Sequence, residues 1–139
     1  MNPGWRHFAI ASLPLLGACA GTSDVRTPVD PGQAAYAAHC LACHQADGGG
    51  VRGFQPPLLG STWVRGDPQA LATFVLSGGF DSAARKERAN ENVMPPFGHL
   101  GDATLAAILS YVRARFAENT GPVTSKQVAA ARASLAARP

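Results

Sequence analysis

The sequence predicts an all-α domain, and three observations carry that expectation. Alanine makes up 26 of 139 residues while isoleucine occurs only twice, a balance that favours short helices over a β-rich core. Four separate stretches open on helix-start signals and continue with apolar residues at helical spacing. Between the first two of them, Gln45 to Val64 is rich in glycine and proline and carries no period of its own. A structureless loop of that length in so small a chain needs something to fold around.

Composition bounds the rest. A chain of 139 residues holds one small domain with appendages, and 46% hydrophobic residues exclude wholesale disorder. A net charge of +3 with scattered basic residues does not fit a nucleic-acid partner. Three cysteines are too few for a disulfide scaffold or a four-thiolate metal site.

In chain order, Met1 to His7 carries Arg6 and no acid, and Phe8 to Gly17 is an apolar run. This is a signal-peptide layout, too short to span a bilayer. The run ends in Leu16-Gly17-Ala18-Cys19, which resembles the bacterial lipobox, so residues 1–18 are expected to be a lipoprotein-type signal and Cys19 the lipidated first residue. The competing reading is an ordinary cleavage site at Ala18-Cys19-Ala20. Both place the protein outside the cytoplasm, in the periplasm, and the first holds it at a membrane. Residues 19–30 then form a flexible tether rich in Gly, Ser, Thr, Asp and Pro.

Residues 31–118 form the expected domain. Asp30-Pro31 pairs an N-cap with a proline at the first helical position, Gln33 sits three residues after the cap, and the helix should reach about Ala42 with Tyr36 on its buried side. Asp67-Pro68 repeats the signal for a helix ending at Gly78-Gly79, with Leu71, Phe74 and Val75 on one face. Gly79 to Asn92 gathers Arg85, Lys86, Glu87, Arg88 and Glu91; this is a solvated loop or, alternatively, a docking patch. Asp102 is expected to cap a third helix, in which Leu105, Ile108, Leu109 and Val112 recur up to Phe116. In the extension, residues 119–139, Thr124-Ser125-Lys126-Gln127 is a capping box. It opens a helix to about Ala137 with a thin stripe of Val128, Ala131 and Leu135.

The chemistry lies in Cys40-Leu41-Ala42-Cys43-His44, a C-x-x-C-H pattern of the kind that attaches c-type haem. Two thiols one helical turn apart can each add across a haem vinyl group to give a thioether, leaving the adjacent His44 to ligate the iron. The other imidazole nitrogen then needs an acceptor, which a backbone carbonyl of the proline loop can supply; Pro57 is assigned to the cofactor site. A zinc site lacks a second ligand pair, and a thioredoxin-like pair lacks a βαβ context. Apart from the initiator, Met94 is the one methionine, and Val93-Met94-Pro95-Pro96-Phe97 holds it on a stiff extended loop. It is therefore the expected sixth ligand, with His99 as rival; His39, beside Cys40, is not expected to reach the iron's far face.

The stretch from Gly32 to about Phe116 resembles a class I bacterial cytochrome c. The matching features are Gly32 and Tyr36 before Cys40-x-x-Cys43-His44, the Pro56-Pro57-Leu58-x-Gly60-Ser61 loop, Met94-Pro95-Pro96, and Ile108 and Tyr111 on the last core helix. The resemblance implies three core helices wrapped around one covalently bound haem, the first and last crossing where Gly32 and Tyr36 meet Ile108 and Tyr111, with the C-terminal helix added. Gly53 to Gly78 and Gly121-Pro122-Val123-Thr124 further resemble small cytochromes that take electrons from periplasmic dehydrogenases or feed oxidases. One departure is Phe116-Ala117-Glu118-Asn119, where such relatives often carry Trp-Gly-Asn. Trp63 is expected either to donate its indole N–H to a haem propionate or to pack beside the ring. Arg52 and Arg65 are candidate propionate partners, and Phe54, Phe74, Phe80 and Phe97 are candidate pocket walls.

These readings point to an electron carrier without catalytic residues of its own. His plus Met ligation fills both axial positions and raises the reduction potential relative to two histidines. The expected partners are redox proteins: a dehydrogenase as donor, and an oxidase or another cytochrome as acceptor. No nucleic acid or small-molecule substrate is expected. Two alternatives stay open: a subunit integral to a dehydrogenase or oxidase complex, and a haem-based gas sensor in which Met94 leaves the iron. A peroxidase is disfavoured, since both axial positions are taken.

Overall fold

A computed structural model describes residues 29–79, 94–118 and 120–138. The expected signal segment, Cys19, most of the tether, Phe80 and the charged run from Arg85 to Glu91 lie outside the described residues. Six helices are described, with no strand: α1 (Pro31–His39), α2 (Leu41–His44), α3 (Thr62–Arg65), α4 (Pro68–Ser77), α5 (Asp102–Phe116) and α6 (Ser125–Ala136). The fold is all-α, and none of these helices is long and apolar enough to cross a membrane.

Most helix starts follow local chemistry. The Asp30 carboxylate accepts from the Gly32 amide at 2.7 Å, that of Asp67 accepts from the Ala70 amide at 2.8 Å, and Thr124 with Gln127 forms the complete capping box. Each satisfies an amide that the first turn leaves without an intrahelical partner. Two expectations need correction. The first helix stops at His39 and restarts at Leu41, because Cys40 departs from helical geometry (φ −122°, ψ −30°). Asp102 does not cap α5: Gly101 is the N-cap and Asp102 the first helical residue, its carboxylate accepting instead from Arg132. The glycine and proline segment also hides α3, capped by Ser61.

The core has two lobes joined through α5. One gathers Leu71, Ala72, Val75 and Leu76 of α4, Phe97, Leu105, Ala106 and Leu109, together with Val123, Val128 and Ala131 at the C-terminal end. The other holds Tyr36, Val64, Ile108, Val112, Phe116 and Ala117. The helix α5 supplies both because its apolar residues wrap more than one face. α1 packs on α5 as the resemblance implied, closest at Gly32. A Cβ there would run into the Ala107 carbonyl, so only glycine permits this approach. Tyr36 then packs its ring on Tyr111, with centroids 5.3 Å apart, and on Phe116 at 5.8 Å. The terminal helix α6 lies against α4 and α5.

Candidate functional site

The break at Cys40 shapes the thiol-bearing turn. The Cys40 amide still donates to the Tyr36 carbonyl at 2.8 Å, and its own carbonyl accepts from the amides of Cys43 and His44 at 3.2 and 3.0 Å. The two thiols therefore sit on one turn, three residues apart and free, Cys40 half-buried and Cys43 exposed. Burial, reinforced by neighbouring Cys43, pushes the Cys40 thiol up to about 11. It stays protonated at neutral pH.

Beyond His44 the chain turns sharply. Gln45 adopts φ 60° and ψ 167°, a region costly for any residue with a side chain. The Tyr36 hydroxyl donates to its carbonyl at 2.6 Å and holds it there. The loop then doubles back: the Gly50 amide donates to the His44 carbonyl at 3.2 Å and the Leu58 amide to the Gly48 carbonyl at 2.7 Å. Gly48 (φ 70°) lies so close to the Phe116 ring that a Cβ would come within 2.7 Å of it. This folding brings the proline segment to the imidazole.

His44 is partly buried. Desolvation lowers its pKa, and the Pro56 carbonyl works in the opposite sense, so the neutral, metal-ligating imidazole is favoured. Nδ1 is buried and has no hydrogen-bond partner. The carbonyl in question belongs to Pro56, one residue before Pro57, which is exposed. Pro56 and Pro57 line an open cleft of about 490 Å³ with Arg52, Phe54 and Gln55.

The other expected residues divide between site and core. Trp63 is 48% exposed and stacks on Phe74, with ring centroids 4.3 Å apart. Phe54 and Leu59 are also exposed, whereas Phe97 is buried among core side chains rather than set in an open pocket. Arg52 and Arg65 are exposed. Met94 is half-buried against the α4–α6 lobe. His99 and His39 pair edge to face on the surface, centroids 6.4 Å apart. Among the described residues no cluster of His, Cys, Asp and Glu could hold a metal ion.

Two residues that pattern reading passed over are structural anchors. Arg113 is 5% exposed. Its Nε donates to the Gly121 carbonyl at 2.7 Å, and its guanidinium also donates to the carbonyls of Val64 and Gly66 at 2.9 and 2.8 Å, tying the Trp63 helix to α5. A signal exists, since Ala106, Leu109, Arg113 and Phe116 share helical spacing and all are buried. Arg132 on α6 grips the segment before α5, and only the fold reveals it.

The donor set fits haem: two free thiols on one turn, a half-buried imidazole beside them whose buried Nδ1 has no partner, and exposed aromatic side chains at Trp63 and Phe54. No curated protein gives a match to the chain. The model of a family described as cytochrome c oxidase, cbb3-type, subunit III matches residues 27–112, a span that contains the cysteine pair, His44 and Met94. The chain belongs to this family: it is a class I c-type cytochrome, a domain for haem-based electron transfer that carries its haem c covalently.

Proposed function

We propose that this protein is a small electron carrier of the periplasm, held at a membrane through lipidated Cys19, with His44 and Met94 as the axial ligands of one haem. The observation that carries the reading is the turn from Cys40 to His44, with two free thiols and a half-buried imidazole side by side. Bound haem supplies a one-electron Fe(III)/Fe(II) couple. Cys40 and Cys43 hold it as thioethers, and His44 ligates it with the Pro56 carbonyl behind the ring. Met94 reaches it from the loop stiffened by Pro95 and Pro96. His99 is the weaker rival, because its ring is engaged with His39 and Phe97 at the surface. With both axial positions filled, no site stays open for oxygen or peroxide, and the protein has no catalytic residues. Arg52 and Arg65 would be the propionate partners, Trp63 would either donate to a propionate or pack beside the ring, and the partners are redox proteins.

The family description names an oxidase subunit. That favours a second reading, in which the chain is the cytochrome c component of an oxidase or dehydrogenase complex. Extraction in mild detergent separates the two: a carrier elutes alone, a subunit with its complex.

The axial ligands are tested by the visible spectrum of the haem-loaded protein, oxidised and reduced. A weak Met–Fe charge-transfer band at the red edge of the oxidised spectrum, absent in Met94→His, is expected. Carbon monoxide should leave the reduced protein unchanged at neutral pH. A five-coordinate spectrum, or carbon monoxide binding, would instead indicate a gas-binding protein.

A further inference from the structure

Helix α6 begins after the family match has ended within α5, yet it is built into the lobe that carries Met94. Val128 and Ala131 are wholly buried there, in the same cluster as Phe97, with Met94 packed against it. One side chain of α6 reaches further. The guanidinium of Arg132 donates to the carbonyls of Gly98 and Leu100 at 2.7 and 2.8 Å, and through Nε and a terminal nitrogen to the Asp102 carboxylate at 3.1 and 2.9 Å. A planar fork with several fixed donors suits such a grip; an ammonium does not.

The gripped segment runs from Gly98 to Asp102, the first residue of α5, and begins shortly after Met94. The link back to Met94 is stiff. Pro95 and Pro96 fix their φ angles, and Phe97 is buried, its amide on the Val75 carbonyl at 3.4 Å. Three residues of restricted freedom thus join Met94 to the gripped segment.

From this geometry we infer that Arg132 is a positioning residue for Met94: α6 clasps the ligand loop and sets how firmly the methionine holds the sixth coordination position. The inference rests on the His44/Met94 reading. Loss of a clasp that merely stabilised the fold would lower the melting temperature and leave the ligand equilibrium alone, whereas loss of this one changes both.

The test uses haem-loaded full-length protein and exogenous imidazole, which competes with methionine for ferric iron. Arg132→Ala is expected to weaken the red-edge band and to bind imidazole about tenfold more tightly. Arg132→Lys, which keeps the charge without the fork, should fall between it and the parent, and serves if the alanine variant fails to fold. Val112→Ala removes buried side-chain volume in the other lobe, toward the far end of α5, and should cost stability without changing imidazole affinity. If the arginine variants lose stability but keep the parent's band and imidazole affinity, the inference is overturned while the ligation stands. If the parent itself lacks the band, the ligation reading fails and the inference falls with it.

Discussion

Tyr36 acts on the haem-binding turn by two routes. Its ring fills the space between Tyr111 and Phe116, and its hydroxyl fixes the carbonyl of Gln45, the residue in a strained conformation immediately after His44. Burial, aided by the neighbouring Cys40, Tyr111 and Asp47, raises the phenol from 10.0 to about 12. The folded state thus favours the neutral phenol. That contribution is complete below pH 10 and disappears as pH climbs through about 12. Tyr36→Phe is expected to lose about 1 kcal/mol at pH 7 and to show a shallower decline between pH 10 and 12 than the parent. Urea unfolding of the haem-loaded protein across that range reads both effects. At this scale the sequence was informative where chemistry is local: the thiols and His44 stand out by their spacing, and Met94 as the one methionine besides the initiator. Arg113 and Arg132 did not, because each satisfies carbonyls at least eight residues away in sequence, and nothing nearby in the chain marks such partners.

Among elements, the approach of α1 to α5 is the tightest constraint. In Gly32→Ala the added Cβ would meet the Ala107 carbonyl and lie 2.9 Å from the Tyr111 Cβ. Backbone cannot yield as a flexible side chain does, so the two helices must move apart. Alanine's better helix propensity recovers up to about 1 kcal/mol, against an overpacking cost of about 1–3 kcal/mol. A net loss of about 1 kcal/mol in urea unfolding is expected, with loosened Tyr36–Tyr111 packing visible in near-ultraviolet circular dichroism. Unchanged stability would mean that the helices can separate freely. The helix boundaries show which signals could be read. Asp30, Asp67 and Thr124 cap as their spacing implied, since a cap answers amides two or three residues away. Asp102 carries the same signal but is drawn to Arg132, thirty residues on, leaving Gly101 to begin the helix. The pause at Cys40 has no proline or glycine to announce it, and α3 is too short to display a period.

At the scale of the whole molecule, the two core lobes meet along α5 and at Leu100, which packs against both, and among the described residues Phe54, Leu59 and Trp63 leave large apolar surface exposed. A covalently held macrocycle would cover that surface and join the thiol turn to the Met94 lobe. Cys40→Ala/Cys43→Ala, which cannot form thioethers, is expected to unfold at a lower urea midpoint and over a broader range than the haem-loaded parent. Equal midpoints would show that the chain is stable by its own core. The long loop between α2 and α3 was recognisable as irregular from its glycines and prolines, and it is ordered by its own backbone hydrogen bonds, which the sequence does not announce. The contact at Gly32 also bears on the order of events during folding. Its partner Ala107 lies 75 residues along the chain, and joining ends so distant costs about 4 kcal/mol of chain entropy before any contact compensates it. In a polypeptide emerging from its N-terminus, α1 has no surface to dock on until most of the domain has been made. Cys40 and Cys43 therefore remain open to modification throughout that interval, and closure of α5 over α1 marks its end.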